Sequence, residues 1–556
     1  MSAASERHGP PLSAEEGLGA LTLPGLLAEV ARRHSEREAL VWHPPGGAPV
    51  RLSYRELYGE SLRLARALAA AGIGRGSRVG ILMANRPEWV VGLFGATMTG
   101  AVAVALNTFA TPVELRAQLE LADVELLLFE AGVAKRDFVA DLHQVSPALA
   151  VSRPGAFVDP RLPFLRRLVC VDLPPGAGGA IEAWHDFLAA GETVPEAQVE
   201  GRMARLHPVD DGLIFFSSGT TGSAKGIQHS HRAAALQCWR ARRWYGLDER
   251  VRTWCANGFF WSGNFAMALG STLAAGGCLV LQHHFEPDEA LALMERERVS
   301  FAFAWPHQYA RLRESPLWER VDLSSLHYVD RDGILASHPS VRTQWREPNG
   351  YGSTETFTFV AGWGGEERSD ASHGPVLPGN SVRILDPDTG ALLPLGETGE
   401  IAVKGPTLTR GYLRTPPEET FDRDGYLRTA DAGRLDAAGH LWWEGRLGDM
   451  IKTGGANVAP AEVDQVLARH PAVRLAVTVG VPDPLLGERV VACVVAREGM
   501  AVAEEELIAF ARAVLAPYKV PRRVLFFSEG ELPVTGSNKV RRRELAALAA
   551  ARLGDG

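Results

Sequence analysis

Between residues 52 and 107 the apolar pattern changes period repeatedly, and that alternation constrains the fold more than any other feature. "LSYRELYGESLRLARALAAAG" (52–72) places Leu57, Leu64, Ala65 and Leu68 on one face at helical spacing. Ser53 and Glu56 form a capping box at its start, and Gly72 supplies a stop. "SRVGILM" (77–83) then reads as a strand, Pro87 opens a second helix, and "AVAVALN" (101–107) is a further strand. Short apolar strands separated by helices must run in one direction, because each helix carries the chain back across the sheet face. Residues 90–113 hold no charged side chain and are long enough to span a bilayer. Their Gly and Thr content, with Asn107 and Pro112, favours a buried helix followed by a buried strand.

The 556 residues correspond to three or four domain-sized units, enough to bury large cores. A formal charge of −8 argues against a nucleic-acid partner. Five cysteines lie far apart without metal-ligand or redox spacing, which indicates a reducing compartment and no structural zinc. "MSAASERHGPPLSAEEG" has no apolar core, so it is not a signal peptide. These features suggest a cytoplasmic protein with no membrane span. "GETVPEAQVEGR" (191–202) reads as a surface connection. Composition shifts after about residue 444 to a glycine-rich stretch, then helix, two strands, helix, strand and terminal helix. That is a unit able to fold alone, and places a domain boundary at 446–449.

"FFSSGTTGSAKG" (215–226) concentrates hydroxyls, flexible backbone and one ammonium in a loop between strands, with a helix from about His231. A polar turn would use the same residue types. A phosphate cradle would use all of them at once, although Ala224 before Lys225 and the strand after it exclude a Walker loop. Four other polar clusters follow: "NGYGSTET" (349–356), "GYLRTADAG" (425–433), "GRLGDMIKTGG" (445–455) and "LPVTGSNKVRRREL" (532–545). Taken singly, each has an ordinary explanation: a solvated Glu355, a core Tyr351, an Asx-turn Asp431, a surface ion pair at Arg446 and a solvated Lys539.

Together, in this order, and with "GEIAVKGPTLTRGY" (399–412) and "YKVPRRV" (518–524), these motifs resemble the adenylate-forming superfamily. That superfamily comprises acyl-CoA synthetases, nonribosomal adenylation domains and beetle luciferases. The resemblance runs from about residue 23 to residue 545. It implies an α/β fold: a large N-terminal domain (1–445) of helix-covered, mainly parallel sheets, and a small mobile α+β C-terminal domain (446–556). It also implies ATP, Mg²⁺ and coenzyme A as cofactors, and a small-molecule carboxylic acid as substrate.

By that resemblance Ser217, Ser218, Gly219, Thr220, Thr221, Gly222 and Lys225 hold the β- and γ-phosphates. Tyr351 lies against adenine, with Gly352 and Thr354 beside it. Asp431 accepts from both ribose hydroxyls, and Arg446 reaches the nucleotide. Glu355 holds Mg²⁺. Lys539 bridges the acid and the α-phosphate, so that Lys539, Glu355 and Thr220 are the catalytic set, and Gly448 is the hinge. Phe260, Trp261, Gly263, Asp332 and Gly333 are expected to wall the acyl pocket, with Trp261 as a gate towards the thiol channel. Aromatic neighbours suggest a bulky hydrophobic acid, aryl or polycyclic. His229 and His231 are assigned no catalytic role.

Four positions depart from the family pattern: "RTAD" for "RTGD", "DGI" (332–334) for "GGA", Gly448 where Asp or Lys is common, and Asn538 before Lys539. Three other readings stay open at this level. They are an adenylating enzyme that hands its product to a carrier protein or partner enzyme, a non-catalytic nucleotide-binding regulator, and luciferase-like oxidation.

Overall fold

The computed structural model describes residues 4–218, 224–365, 372–447, 451–458, 460–497, 499–533 and 540–554. The alternating segment forms as its pattern predicts. Ser53 caps the helix Tyr54–Ala70 with a reciprocal Glu56 box, and Gly72 follows it at φ 83°. Pro87 opens the helix Pro87–Met98, which is buried at every position but Glu88 and leads into the buried strand Val102–Ala105. No helix among the described residues is long and apolar enough to cross a membrane.

Two large sheets form the scaffold. In the eight-stranded one, Ile181–Ala183, Arg167–Cys170, Leu126–Phe129, Arg78–Leu82, Val102–Ala105 and Asp211–Ser218 run parallel. Ala224–Ser230 and Gly411–Tyr412 then add antiparallel strands. In the second, Phe301–Phe303, Arg252–Cys255, Cys278–Leu281 and Glu38–Trp42 are parallel, with Val50–Ser53 antiparallel at the edge. Helices Leu23–Arg33, Tyr54–Ala70, Pro87–Met98 and His231–Trp244 contribute to the core between the sheets, where Trp89 packs edge-on against Phe259 and Phe265.

The structure adds elements that strand–helix alternation does not announce. Ser381–Leu385, Gly399–Lys404, Leu427–Leu435 and Leu441–Arg446 form an antiparallel sheet, extended at its edge by Glu6–His8. Tight turns replace crossover helices here: the Gly390 N–H donates to the Asp386 carbonyl and the Gly439 N–H to the Asp436 carbonyl, both at 2.9 Å. Antiparallel pairing needs only such turns. The 191–202 segment, read as a plain connection, contains the helix Glu196–Met203. Val199 is buried while its neighbours face solvent, so one apolar anchor holds an otherwise polar helix to the surface.

The C-terminal unit is a small α+β domain. Ala456–Val458, Ile451–Thr453, Gly487–Ala496 and Val473–Asp483 are antiparallel, and Arg523–Phe526 joins Gly487–Ala496 in parallel. Helices Pro460–Leu467, Glu504–Arg512 and Arg542–Gly554 accompany the sheet, in the order the sequence implies. Gly454 and Gly455 take φ 56° and 79° in the turn between Ile451–Thr453 and Ala456–Val458. Two successive positive φ values suit a two-residue hairpin.

Candidate active site

A cavity of about 850 Å³ opens where the large sheets, the hairpin Asn349–Ser353/Thr358–Trp363, the antiparallel sheet and the small domain converge. Of the residues singled out from sequence, Ser217, Lys225, Tyr351, Gly352, Thr354, Glu355 and Asp431 line it, as do Trp261 and Gly263. They come from strand ends and loops more than two hundred residues apart, held by the sheet scaffold. The Ser218 side chain, residues 219–222 (Gly219, Thr220, Thr221 and Gly222), Gly448 and Lys539 lie outside the described residues. Arg446 is described in its backbone alone, opposite Asp431 in the antiparallel ladder.

Glu355 and Lys225 meet around one tyrosine. The Tyr412 hydroxyl donates to Glu355 Oε1 at 3.1 Å, and the Lys225 ammonium stands 4.6 Å from the centre of the Tyr412 ring. The Thr409 N–H donates to the Glu355 carbonyl at 2.6 Å, which fixes the backbone below the carboxylate. The turn that carries Glu355 is strained. Phe357 and Thr358 have φ 51° and 89°, and a β-branched residue there is costly. A side chain at Gly352 would sit 1.6 Å from the Thr358 carbonyl oxygen, so only glycine permits this close hairpin. His229 holds the turn from behind: its Nε2–H donates to the Thr354 carbonyl at 2.8 Å. Burial pushes the His229 pKa down to about 3 and that of His231 to about 4, so both rings are neutral at pH 7. Neither lines the cavity.

Tyr351 is buried in the core beside the antiparallel sheet, and its hydroxyl donates to Asp431 Oδ2 at 2.7 Å. The tyrosine therefore orients the aspartate as well as lining the cavity. Ala430, the departure in "RTAD", has φ 56°, the left-handed conformation that glycine adopts freely. Its N–H donates to Glu400 Oε1 at 2.9 Å and its carbonyl accepts from the Leu447 N–H at 2.8 Å.

The apolar end differs from the expected wall. Phe260 is 4 % exposed and does not line the cavity; its ring packs between Phe109 and Trp261 and supports them from behind. Asp332 and Gly333 are also outside it. The Asp332 carboxylate is 74 % exposed and lies 3.6 Å from Arg331. Asp330 turns this segment away, its Oδ1 accepting the Asp332 N–H and its Oδ2 the Glu347 N–H. Trp305, Met267, Phe359 and Phe109 stand in the wall instead, with the side chains of Asn257 and Gln308 paired reciprocally at 3.0 and 2.9 Å. Residues 265–270 form a π-helical turn beside Gly263, a local widening common at functional sites. Sequence reasoning missed Tyr412 as a ligand to Glu355 and Tyr518 as a cavity residue. Both lie in motifs, "TRGY" and "YKVP", whose presence was legible but whose direction was not.

The donor set fits a nucleotide: glycine backbone at 350 and 352, an ammonium, hydroxyls and two carboxylates around one cavity. Among the described residues no cluster of three metal-binding side chains exists. The five cysteines are buried and unpaired.

Comparison with known proteins agrees with this reading. The AMP-binding enzyme family matches residues 27–413, and the AMP-binding enzyme C-terminal domain matches residues 462–539. The chain is 32% identical over 537 residues to the 3-[(3aS,4S,7aS)-7a-methyl-1,5-dioxo-octahydro-1H-inden-4-yl]propanoyl:CoA ligase of Mycobacterium tuberculosis, covering 95% of this chain and 99% of that one. It is 31% identical to the indoleacetate–CoA ligase of Aromatoleum aromaticum, covering 94% and 98%. The solved amide bond synthetase of Marinactinospora thermotolerans superposes with a TM-score of 0.75 at 30% identity, covering 94% of this chain and 99% of that one. With its cavity, its two domains and these relatives, the chain belongs to the AMP-binding enzyme family, among the AMP-forming acid–CoA ligases.

Proposed function

We propose that the acid activated by this ligase is bulky and ring-bearing, and that CoA accepts it. The observation that carries the reading is the single cavity in which Lys225, Glu355 and Asp431 adjoin a wall of Trp261, Trp305, Phe359 and Met267, with Gly263 leaving room. Two relatives act on ring-bearing acids by name, an octahydroindenyl propanoate and indoleacetate.

In the first half-reaction an acid oxygen attacks the α-phosphorus of ATP, the bond to the β-phosphate breaks, and pyrophosphate leaves. In the second, a thiolate sulfur attacks the acyl carbonyl and AMP leaves. Little covalent work falls to the protein, so positioning and charge stabilisation dominate. Ser217, Lys225 and the 218–222 loop grip the phosphates. Asp431, oriented by Tyr351, accepts from the ribose hydroxyls. Glu355 is the sole carboxylate in 349–356 and suits Mg²⁺, which usually takes one or two protein carboxylates and keeps phosphate and water for the rest. Bound there, the ion would neutralise phosphate charge. Lys539 serves the first half-reaction, and the small domain turns about Gly448, with its boundary at 446, to serve the second. Such domain motions commonly gate catalysis.

The test is pyrophosphate release across a panel of carboxylic acids, followed by thioester formation with CoA. Aryl and polycyclic acids should lead. Preference for short-chain acids or amino acids would refute the acid assignment. Transfer to an amine or a carrier thiol in place of CoA would refute the acceptor.

A further inference from the structure

The two domains meet around Lys519. Its side chain is buried, with the ammonium 3.0 Å from Glu114 Oε1 and 2.8 Å from Glu462 Oε1. Glu462 and Lys519 both lie in the matched C-terminal domain, whereas Glu114 lies in the large one. Glu462 therefore stays with Lys519 in every domain orientation, and only the contact to Glu114 depends on where the small domain sits. Burial alone would push the Lys519 pKa down; Tyr518, Glu114 and Glu462 outweigh it and hold the group above the ordinary lysine value.

Glu114 is fixed in place before the small domain arrives. It is the third residue of the helix Pro112–Leu121, and its Oε2 accepts the Thr111 N–H at 2.9 Å in a capping box. Thr111 itself contacts the small domain, its hydroxyl donating to the Val514 carbonyl at 3.0 Å. One residue before Lys519, the Tyr518 ring meets Trp261 edge-on at 6.0 Å. The same orientation seats the Gly454–Gly455 turn against Trp305. A Cβ on Gly455 would stand 2.5 Å from Trp305 Cδ2. Gly454, Gly455 and Ala456 thus line the cavity with backbone and one methyl in place of larger side chains.

We propose that Glu114 is a positioning residue that selects this domain orientation through Lys519, and that this orientation is the one in which the thiol reaches the acyl group. The inference rests on the two-step reading above. Released from Lys519, Glu114 is hydrated and Lys519 keeps Glu462, so the pair biases the domain without locking it.

The experiment uses the full chain. The native cysteines are buried, so Glu200→Cys and Glu505→Cys, at exposed sites in the two domains, take spin labels selectively. Pulsed EPR distances then count the orientations without any substrate. Glu114→Gln keeps the capping geometry and removes the charge; it should lower the share of this orientation relative to others by about tenfold, within the usual range of coupling energies. An unchanged distance distribution overturns the proposal. In the kinetic arm, thioester formation from supplied acyl-adenylate should fall about tenfold while adenylate formation holds. Equal losses in both steps, or loss of adenylation alone, also overturn it. Glu114→Asp should recover part of both readouts, and carries the same distance test should the glutamine variant fail to fold. A parent that makes no thioester with CoA would sink the acceptor assignment instead, and the distance shift would still decide the role of Glu114.

Discussion

Replacing Ala430 by glycine should stabilise the large domain. At φ 56° the alanine Cβ crowds its own backbone, at a cost of about 1–2 kcal/mol. Two hydrogen bonds enforce that conformation, from the Ala430 N–H to Glu400 Oε1 and from the Leu447 N–H to the Ala430 carbonyl. Their net worth, roughly 1.5–3 kcal/mol for the one to the carboxylate and about 1 for the other, exceeds the strain, so the residue stays put. Glycine removes the strain and frees the unfolded chain, which returns about 0.4–1 kcal/mol. The balance is a gain of about 0.5–1 kcal/mol. Equilibrium urea unfolding, followed by tryptophan fluorescence, measures it as a rise in the midpoint of the large-domain transition. Ala430→Val is the control: a β-branched side chain at this φ should lower the midpoint. The KM for ATP should barely change in the glycine variant, because the Asp431 backbone is already in place. A glycine variant less stable than the parent would refute the reasoning, since it would mean that the left-handed strain is absent.

Glu355→Gln should raise the Mg²⁺ concentration needed for acid-dependent pyrophosphate release; an unaltered Mg²⁺ titration would count against Glu355 as the ligand. Asp431→Ala should raise the KM for ATP roughly 10- to 100-fold, the equivalent of a charged hydrogen bond worth about 1.5–3 kcal/mol. Equal use of ATP and 2′,3′-dideoxy-ATP by the parent would remove the ribose role. His229 titrates at about 3 in the fold against 6.5 in the unfolded chain. Its neutral ring therefore contributes stability that is complete above pH 6.5 and is lost as pH falls towards 3. His229→Gln keeps a donor for the Thr354 carbonyl without the titration, so its stability should fall less steeply over that window than the parent's; parallel curves would exclude His229 as the cause.

The elements written in local rules were legible from the chain alone. Ser53 and Glu56, three residues apart, cap the helix Tyr54–Ala70 whatever the rest of the protein does. The uncharged run at 90–113 became a buried helix and strand because Gly100, at φ 86°, ends the helix and the chain turns into the strand. The ordered motifs identified the family, because their residue types recur together in one order along the chain. Tertiary structure decided which side chains face the cavity. Phe260 and Trp261 are adjacent, yet one is core and the other wall, since the turn directs them oppositely. Asp332 was expected at the site and instead faces solvent, turned by hydrogen bonds to Asp330 that no spacing reveals. Glu114 and Lys519 are 405 positions apart and meet only through the docking of two domains. Caps and periods act over a few residues, where backbone geometry leaves few choices. A cavity wall or a domain contact is the sum of many distant placements, and only the folded chain performs that sum.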